Sequence, residues 1–229
     1  MIDLGKLLQS TGFAIAMLAT GIVADANTNV SQSKYLFKVF LDGKEIGTHK
    51  VELSELAGKK QVTIEADFDV RIFFISVYRY RHTNSEVWNG QCLDRIEAAT
   101  DANGEDFFIT SGQAGESLRL VTHNGTHSLD GCVRSFAYWD PSLLRSEKLL
   151  NTQTGEYVTA DLEEIGYEVV RIGDTTIQVK RYQLVTSDGV IDLWYTSDNR
   201  WVALESKTSN GMILRYEAQS EEGYATANL

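Results

Sequence analysis

Past Ser33 the chain alternates apolar and polar residues in short runs punctuated by turn residues, the pattern of antiparallel strands with one buried face. Tyr35 to Leu41 and Glu45 to Leu53 flank Asp42-Gly43, residue types suited to the two positive-φ positions of a tight hairpin. Ser54 to Lys60 reads as a looser loop. Gln91 to Thr100 and Phe107 to Thr110 flank Asp101-Ala102-Asn103-Gly104, and Leu118 to His123 runs into Asn124-Gly125. Thr176 to Val185, Val190 to Thr196, Trp201 to Lys207 and Met212 to Ala218 are separated by Asp188-Gly189, Asp198-Asn199 and Asn210-Gly211, which predicts a four-strand meander. The single proline, Pro141, stops a strand and suits a first helical turn, so the pattern places a crossover there, or a short helix through Leu150.

The segment from Gln61 to Trp88 contains neither glycine nor proline, and is long for one strand or a tightly joined pair. Its even positions, from Ile64 through Tyr80, form an apolar row broken only by Ser76. Its odd positions begin polar and then turn apolar at Phe73, Ile75 and Val77, with Arg79 and Arg81 following on the same face. An apolar patch on the second face of a sheet needs a cover. Either the segment after Pro141 or another helix covers it, or it floors a cavity whose mouth carries two guanidinium groups able to meet an anionic head. Trp139, beside the proline, is the tryptophan placed to border such an opening.

Ahead of the strands, Lys6 precedes an apolar run from Phe13 to Val23 closed by Ala24-Asp25-Ala26, the form of a secretory signal peptide cleaved after Ala26. A membrane anchor is the alternative, but Gln9, Ser10 and Thr11 interrupt the run before it reaches spanning length. Cleavage removes Lys6, Asp3 and Asp25 and takes the formal charge from −11 to −10. The expected mature chain, residues 27–229, is a single β-sheet domain in the periplasm. Its acidity repels phosphate backbones and anionic headgroups, which makes nucleic acid and peripheral binding to an acidic bilayer unexpected partners. In an oxidising compartment Cys92 and Cys132 invite a disulfide, the alternative being two buried thiols.

Catalytic patterns are sparse: there is no G-x-S-x-G, H-E-x-x-H, P-loop, G-x-G-x-x-G or C-x-x-C. His123 and His127 have a metal-like spacing, but a turn at Asn124-Gly125 sends them to opposite faces. His49 and His82 read as lone strand histidines, and Glu163-Glu164 and Glu221-Glu222 as solvated charge. No enzyme activity, metal or cofactor is expected.

The Phe37–Gly47 stretch with Asp42-Gly43 and Ile46-Gly47, the Trp139-Asp140-Pro141-Ser142 turn, Leu149-Leu150 before Gly155, and Asp192-Leu193-Trp194-Tyr195 resemble an uncharacterised exported bacterial family of β-sheet proteins, a domain of unknown function. That family is similar to LolA-like half-barrel envelope proteins. The resemblance implies an all-β fold, one strongly curved antiparallel sheet forming a half-barrel or incomplete barrel, and no catalytic residues. The expected function is binding or carrying a hydrophobic or amphiphilic, lipid-like molecule through Phe73, Ile75, Val77, Arg79, Arg81 and Trp139. The alternative is a structural or interaction protein of an envelope assembly, with that apolar patch turned to a protein partner.

Overall fold

The computed structural model describes residues 32–219, so the leader read from residues 1–26 lies outside the described residues. Its strands are β1 (Gln32–Leu41), β2 (Lys44–Leu56), β3 (Lys59–Ile72), β4 (Ile75–Asn89), β5 (Cys92–Ala102), β6 (Glu105–Ala114) and β7 (Ser117–Thr122). There follow β8 (Gly125–Asp130), β9 (Lys148–Leu150), β10 (Tyr157–Ile172), β11 (Thr175–Thr186), β12 (Gly189–Tyr195), β13 (Trp201–Lys207) and β14 (Ile213–Ala218). All belong to one antiparallel sheet ordered β8-β7-β6-β5-β4-β3-β2-β1-β14-β13-β12-β11-β10-β9. Chain neighbours are sheet neighbours throughout, except β8 and β9, which form the two edges. Pairing of β1 with β14 joins the two halves, so the sheet is an up-and-down barrel left open between β8 and β9. Its ends curl toward each other: Gly155, between β9 and β10, lies against Thr122 and Ile109 of β7 and β6. Curling buries the concave face of the central strands, and buried residues alternate along β3, β5 and β7, while edge strand β8 carries no buried residue.

Several turns follow the sequence pattern. Asp42-Gly43 and Asn103-Gly104 take the expected left-handed conformations. Other places differ. The Ser54–Lys60 loop is a two-residue turn, because Ala57 accepts a φ of 52° beside Gly58 and the ladder runs on to Leu56 and Lys59. The β7–β8 turn is His123-Asn124, with Thr122 paired to Gly125. His123 therefore stands in the turn, edge-on to Phe107, and His127 faces Leu120. The longest strand, β10, was not evident in the sequence. Its alternation is interrupted where the register shifts between Glu164 and Gly166.

The chain after β8 crosses the concave side of the sheet to reach β9. Leu93 N donates to the Val133 carbonyl, Leu150 N to that of Arg134, and the Tyr195 hydroxyl to that of Tyr138. The crossing is thus bonded to strands from both halves of the barrel. Its start is fixed covalently, since Cys92 and Cys132 form a disulfide with Cα atoms 4.9 Å apart. The crossover expected near Pro141 is present, but no helix accompanies it. The Asp140 side chain captures the Ser142 amide, and Leu143 N donates to the Asp140 carbonyl, so the backbone is satisfied by turns. These turns bury Trp139, Leu143 and Leu144 in a core shared with Phe37, Trp88, Ile96, Leu120, Leu184, Leu193 and Trp201.

The glycine-free segment is a tightly joined pair. Phe73-Phe74 makes the turn, Phe73 taking a φ of 54°, and Ile72 pairs with Ile75. The expected single face carrying Phe73, Ile75, Val77, Arg79 and Arg81 does not exist, because the turn and a register shift between Val70 and Arg71 break it. Nor is the apolar patch covered by the segment after Pro141: Phe73, Phe74, Ile75 and Val77 are exposed.

Candidate functional site

Beyond the turn, β4 regains strict alternation, and Tyr80, His82, Asn84, Glu86 and Trp88 point to the concave side. Across the interior, β2 contributes His49, β13 Trp201 and β14 Tyr216, while the loop after β9 contributes Gln153. Together they shape two adjoining spaces at the end of the barrel where the β1–β2, β3–β4 and β13–β14 turns lie. The outer space, about 600 Å³, is walled by Leu41, Ile46, Phe68, Val70, Val77 and Leu214, with Asn210 and Thr208 at its edge. Among the described residues no charged side chain lines it. The inner chamber, about 250 Å³, is bordered by His49, His82, Tyr138, Trp139 and Trp201, with Asp188 as its single carboxylate among the described residues. Tyr80, Gln153 and Tyr216 belong to both walls, and the Tyr80 hydroxyl donates to Gln153 Oε1 at 3.2 Å.

Burial dominates the electrostatics of the groups around these spaces. Burial pushes the Tyr80, Tyr138 and Tyr216 hydroxyls well above their ordinary range. Burial also pulls His49 down to about 3, with a smaller contribution from His82, and His82 itself down to about 4. Both imidazoles are therefore neutral at physiological pH. His82 Nδ1 pairs with the Thr100 hydroxyl at 2.8 Å, whereas His49 Nδ1 and Trp139 Nε1 find no hydrogen-bond partner among the described residues. Both atoms are enclosed by protein, so burying them costs free energy that the surrounding packing offsets.

Deeper still, the Glu86 carboxylate accepts from Asn84 Nδ2 (3.0 Å), Trp88 Nε1 (2.8 Å) and Ser135 Oγ (3.0 Å). Burial raises its pKa, and the three donors oppose that rise. The last of these bonds ties β4 to the crossing segment, so Glu86 serves the scaffold behind the chamber.

The histidines make stability pH-dependent. Their folded pKa values lie below the unfolded value of 6.5, so the unfolded chain takes up protons first as pH falls. Their contribution is fully present above about pH 6.5 and declines as pH falls toward 4 for His82 and 3 for His49. Each should remove roughly 1.4 kcal/mol per pH unit within that window. Glu86 acts in the opposite sense: its raised pKa favours the fold in acid, and that contribution fades as pH rises through the folded value. Urea titrations at a series of pH values should show the acid loss, and His49→Phe should reduce the slope by about half.

Of the residues expected at the site, Val77 lines the outer space and Trp139 the inner chamber. Phe73 and Ile75 stand at the exposed hairpin end. Arg79 and Arg81 lie on the opposite face of β4, where Arg79 Nε donates to Ser76 Oγ and Arg81 faces Asp67 at 3.8 Å. The residues that do wall the cavity include Phe68, Val70, Tyr80, His49 and Tyr216. The signal that could have found the inner row was the even parity of β4 continued from Tyr80 to Trp88, where polar residues occupy core positions.

A family model described as a domain of unknown function, DUF6134, matches residues 37–219. Among curated proteins none matches the chain. Among solved structures, the chain is similar to the crystal structure of a beta-barrel-like protein of domain of unknown function DUF1849 from Brucella abortus. The TM-score is 0.62 at 11% sequence identity, covering 83% of this chain and 96% of the other. At that identity the likeness concerns the fold.

Proposed function

The chain belongs to the DUF6134 family, and we propose that it is a binding protein for a hydrophobic or amphiphilic, lipid-like molecule held inside the open barrel. The observation that carries this reading is the space of about 600 Å³ that no charged side chain among the described residues lines, continuing beside an inner chamber of about 250 Å³. Its volume falls in the range of small-molecule sites, and its apolar walls with few polar groups are what such sites share. An apolar chain would fill the space between Phe68, Val70 and Leu214. A polar head would sit in the inner chamber beside His49, His82 and Trp139, neutral surroundings that favour an uncharged head. The anionic head expected from Arg79 and Arg81 has less support, since both point away from the cavity.

A periplasmic location, with export directed by Ala24-Asp25-Ala26, belongs to the same proposal, as does a non-enzymatic role and the likeness to LolA-type lipid carriers. The test is titration with Nile red, whose emission rises in apolar sites, followed by displacement with monoolein or oleate. Uptake should be saturable, with monoolein displacing the dye at lower concentration than oleate. Leu214→Trp, which fills the outer space from its half-buried rim, should weaken uptake at least tenfold, about 1.4 kcal/mol. Absence of uptake, or a Leu214→Trp protein that binds as the parent does, would count against an interior site.

A further inference from the structure

The β3–β4 hairpin outruns its neighbours. The β2–β3 ladder ends at Gly47 and Phe68 and the β4–β5 ladder at Tyr80 and Ala102, yet β3 and β4 remain paired through Ile72 and Ile75. Asn103 still donates to the Arg79 carbonyl at 2.7 Å, and the last three pairs beyond it, roughly 10 Å of strand, have no ladder on either flank. At the end stand Ile72 (59% exposed), Phe73 (89%), Phe74 (96%) and Ile75 (71%). Phe73 occupies a left-handed position that glycine or asparagine would hold at lower cost. Strain of this kind is tolerated where the side chain has a use.

We propose that this finger inserts its apolar end into the surface of a phospholipid bilayer. Three observations favour a bilayer over a protein partner. The four side chains offer roughly 600 Å², less than the ~800 Å² that each side of a stable protein interface buries. A convex tip meets a flat protein over only part of that area, whereas a bilayer closes around all of it. Behind the tip, Arg71, Arg79 and Arg81, with Lys44 reaching the Arg71 carbonyl at 2.5 Å, stand at headgroup depth. There long cationic side chains can bury their stems and meet phosphate. Asp67 and Asp69 on the same finger, and Asp101 opposite Arg81, offset much of this charge. Attachment is therefore apolar, compatible with the acidity of the whole chain and only weakly dependent on salt.

This inference stands on the finger alone. The finger does, however, adjoin the cavity through Val70, Val77 and Tyr78, which line the outer space, and insertion would bring that space to the membrane surface.

The test is flotation with phosphatidylcholine vesicles, with and without phosphatidylglycerol. The parent protein should float with both, and added salt should change the bound fraction less than twofold. Phe73→Ser/Phe74→Ser should lower the partition coefficient at least about tenfold, with unchanged circular dichroism and unchanged Nile red uptake. Phe74→Ser alone, at the most exposed position, should fall between. Parent protein that stays in solution, or a double variant that floats equally well, would overturn the proposal. So would sedimentation showing a dimer that the double variant abolishes without vesicles, which would assign the finger to a second copy. Loss of dye uptake by Leu214→Trp with flotation retained would separate the two sites.

Discussion

Replacing Glu86 with alanine should cost about 3–5 kcal/mol of stability, among the largest losses available to a single substitution. The substitution strands three buried donors, Asn84 Nδ2, Trp88 Nε1 and Ser135 Oγ, and leaves a void between β4 and the crossing segment. Each stranded group costs about 1–3 kcal/mol, reduced where water enters. Glu86→Gln keeps the volume but turns one acceptor into a donor that faces Trp88 or the Asn84–Ser135 pair. It should lose about 1–2 kcal/mol. Urea denaturation of the two variants checks both magnitude and order. A Glu86→Ala protein as stable as its parent would contradict this bonding and the path of the crossing segment.

Removing the disulfide should cost a comparable amount. Cys92 and Cys132 are 40 residues apart, and opening a loop of that length releases about 4 kcal/mol of chain-entropy restraint, an upper figure because residual structure erodes it. The bridge joins the first residue of β5 to the start of the segment that fills the concave side. Its loss should therefore loosen the interior more than the outer hairpins. Hydrogen exchange after Cys92→Ser/Cys132→Ser should show early opening around Val133–Leu150. Thermal melting of the same variant, and of the reduced parent, should fall by several degrees. Uniform exchange and an unchanged midpoint would remove the bridge from any structural role.

Much of the architecture was legible because it was written in turn chemistry. Asp42-Gly43 and Asn103-Gly104 need left-handed conformations that few residue types adopt cheaply, and the meander from β11 to β14 is punctuated by such pairs. What escaped the sequence lacked those marks. Phe73-Phe74 makes a two-residue turn from aromatic residues, so the expected cavity was placed on the odd face with Phe73, Ile75, Arg79 and Arg81, whereas it lies on the even face with Phe68, Val70 and Tyr80. The crossing segment was visible as an interruption at Pro141. Its burial under both halves of the barrel depends on contacts with Leu93, Glu86 and Tyr195, far away in sequence.

The site was legible in part. Val77 and Trp139 do border the interior spaces, and the apolar character of the β3–β4 segment was plain. The inner row on β4 was hidden because His82, Asn84 and Glu86 break the apolar alternation that signals a core face. His49 looked solitary because its neighbours His82, Trp201 and Tyr216 come from other strands. Ile46-Gly47, prominent as a motif, has a packing cause: a Cβ on Gly47 would collide with the Asp67 carbonyl, so only glycine lets β2 pass β3 at the cavity rim.

The most direct measurement is native mass spectrometry of protein prepared without detergent, before and after incubation with monoolein. A bound small molecule, lost on unfolding and displaced or taken up in one-to-one stoichiometry by the folded parent but not by Leu214→Trp, is the expected result. A bare protein mass under both conditions, with monoolein failing to associate, would contradict an interior lipid-like ligand.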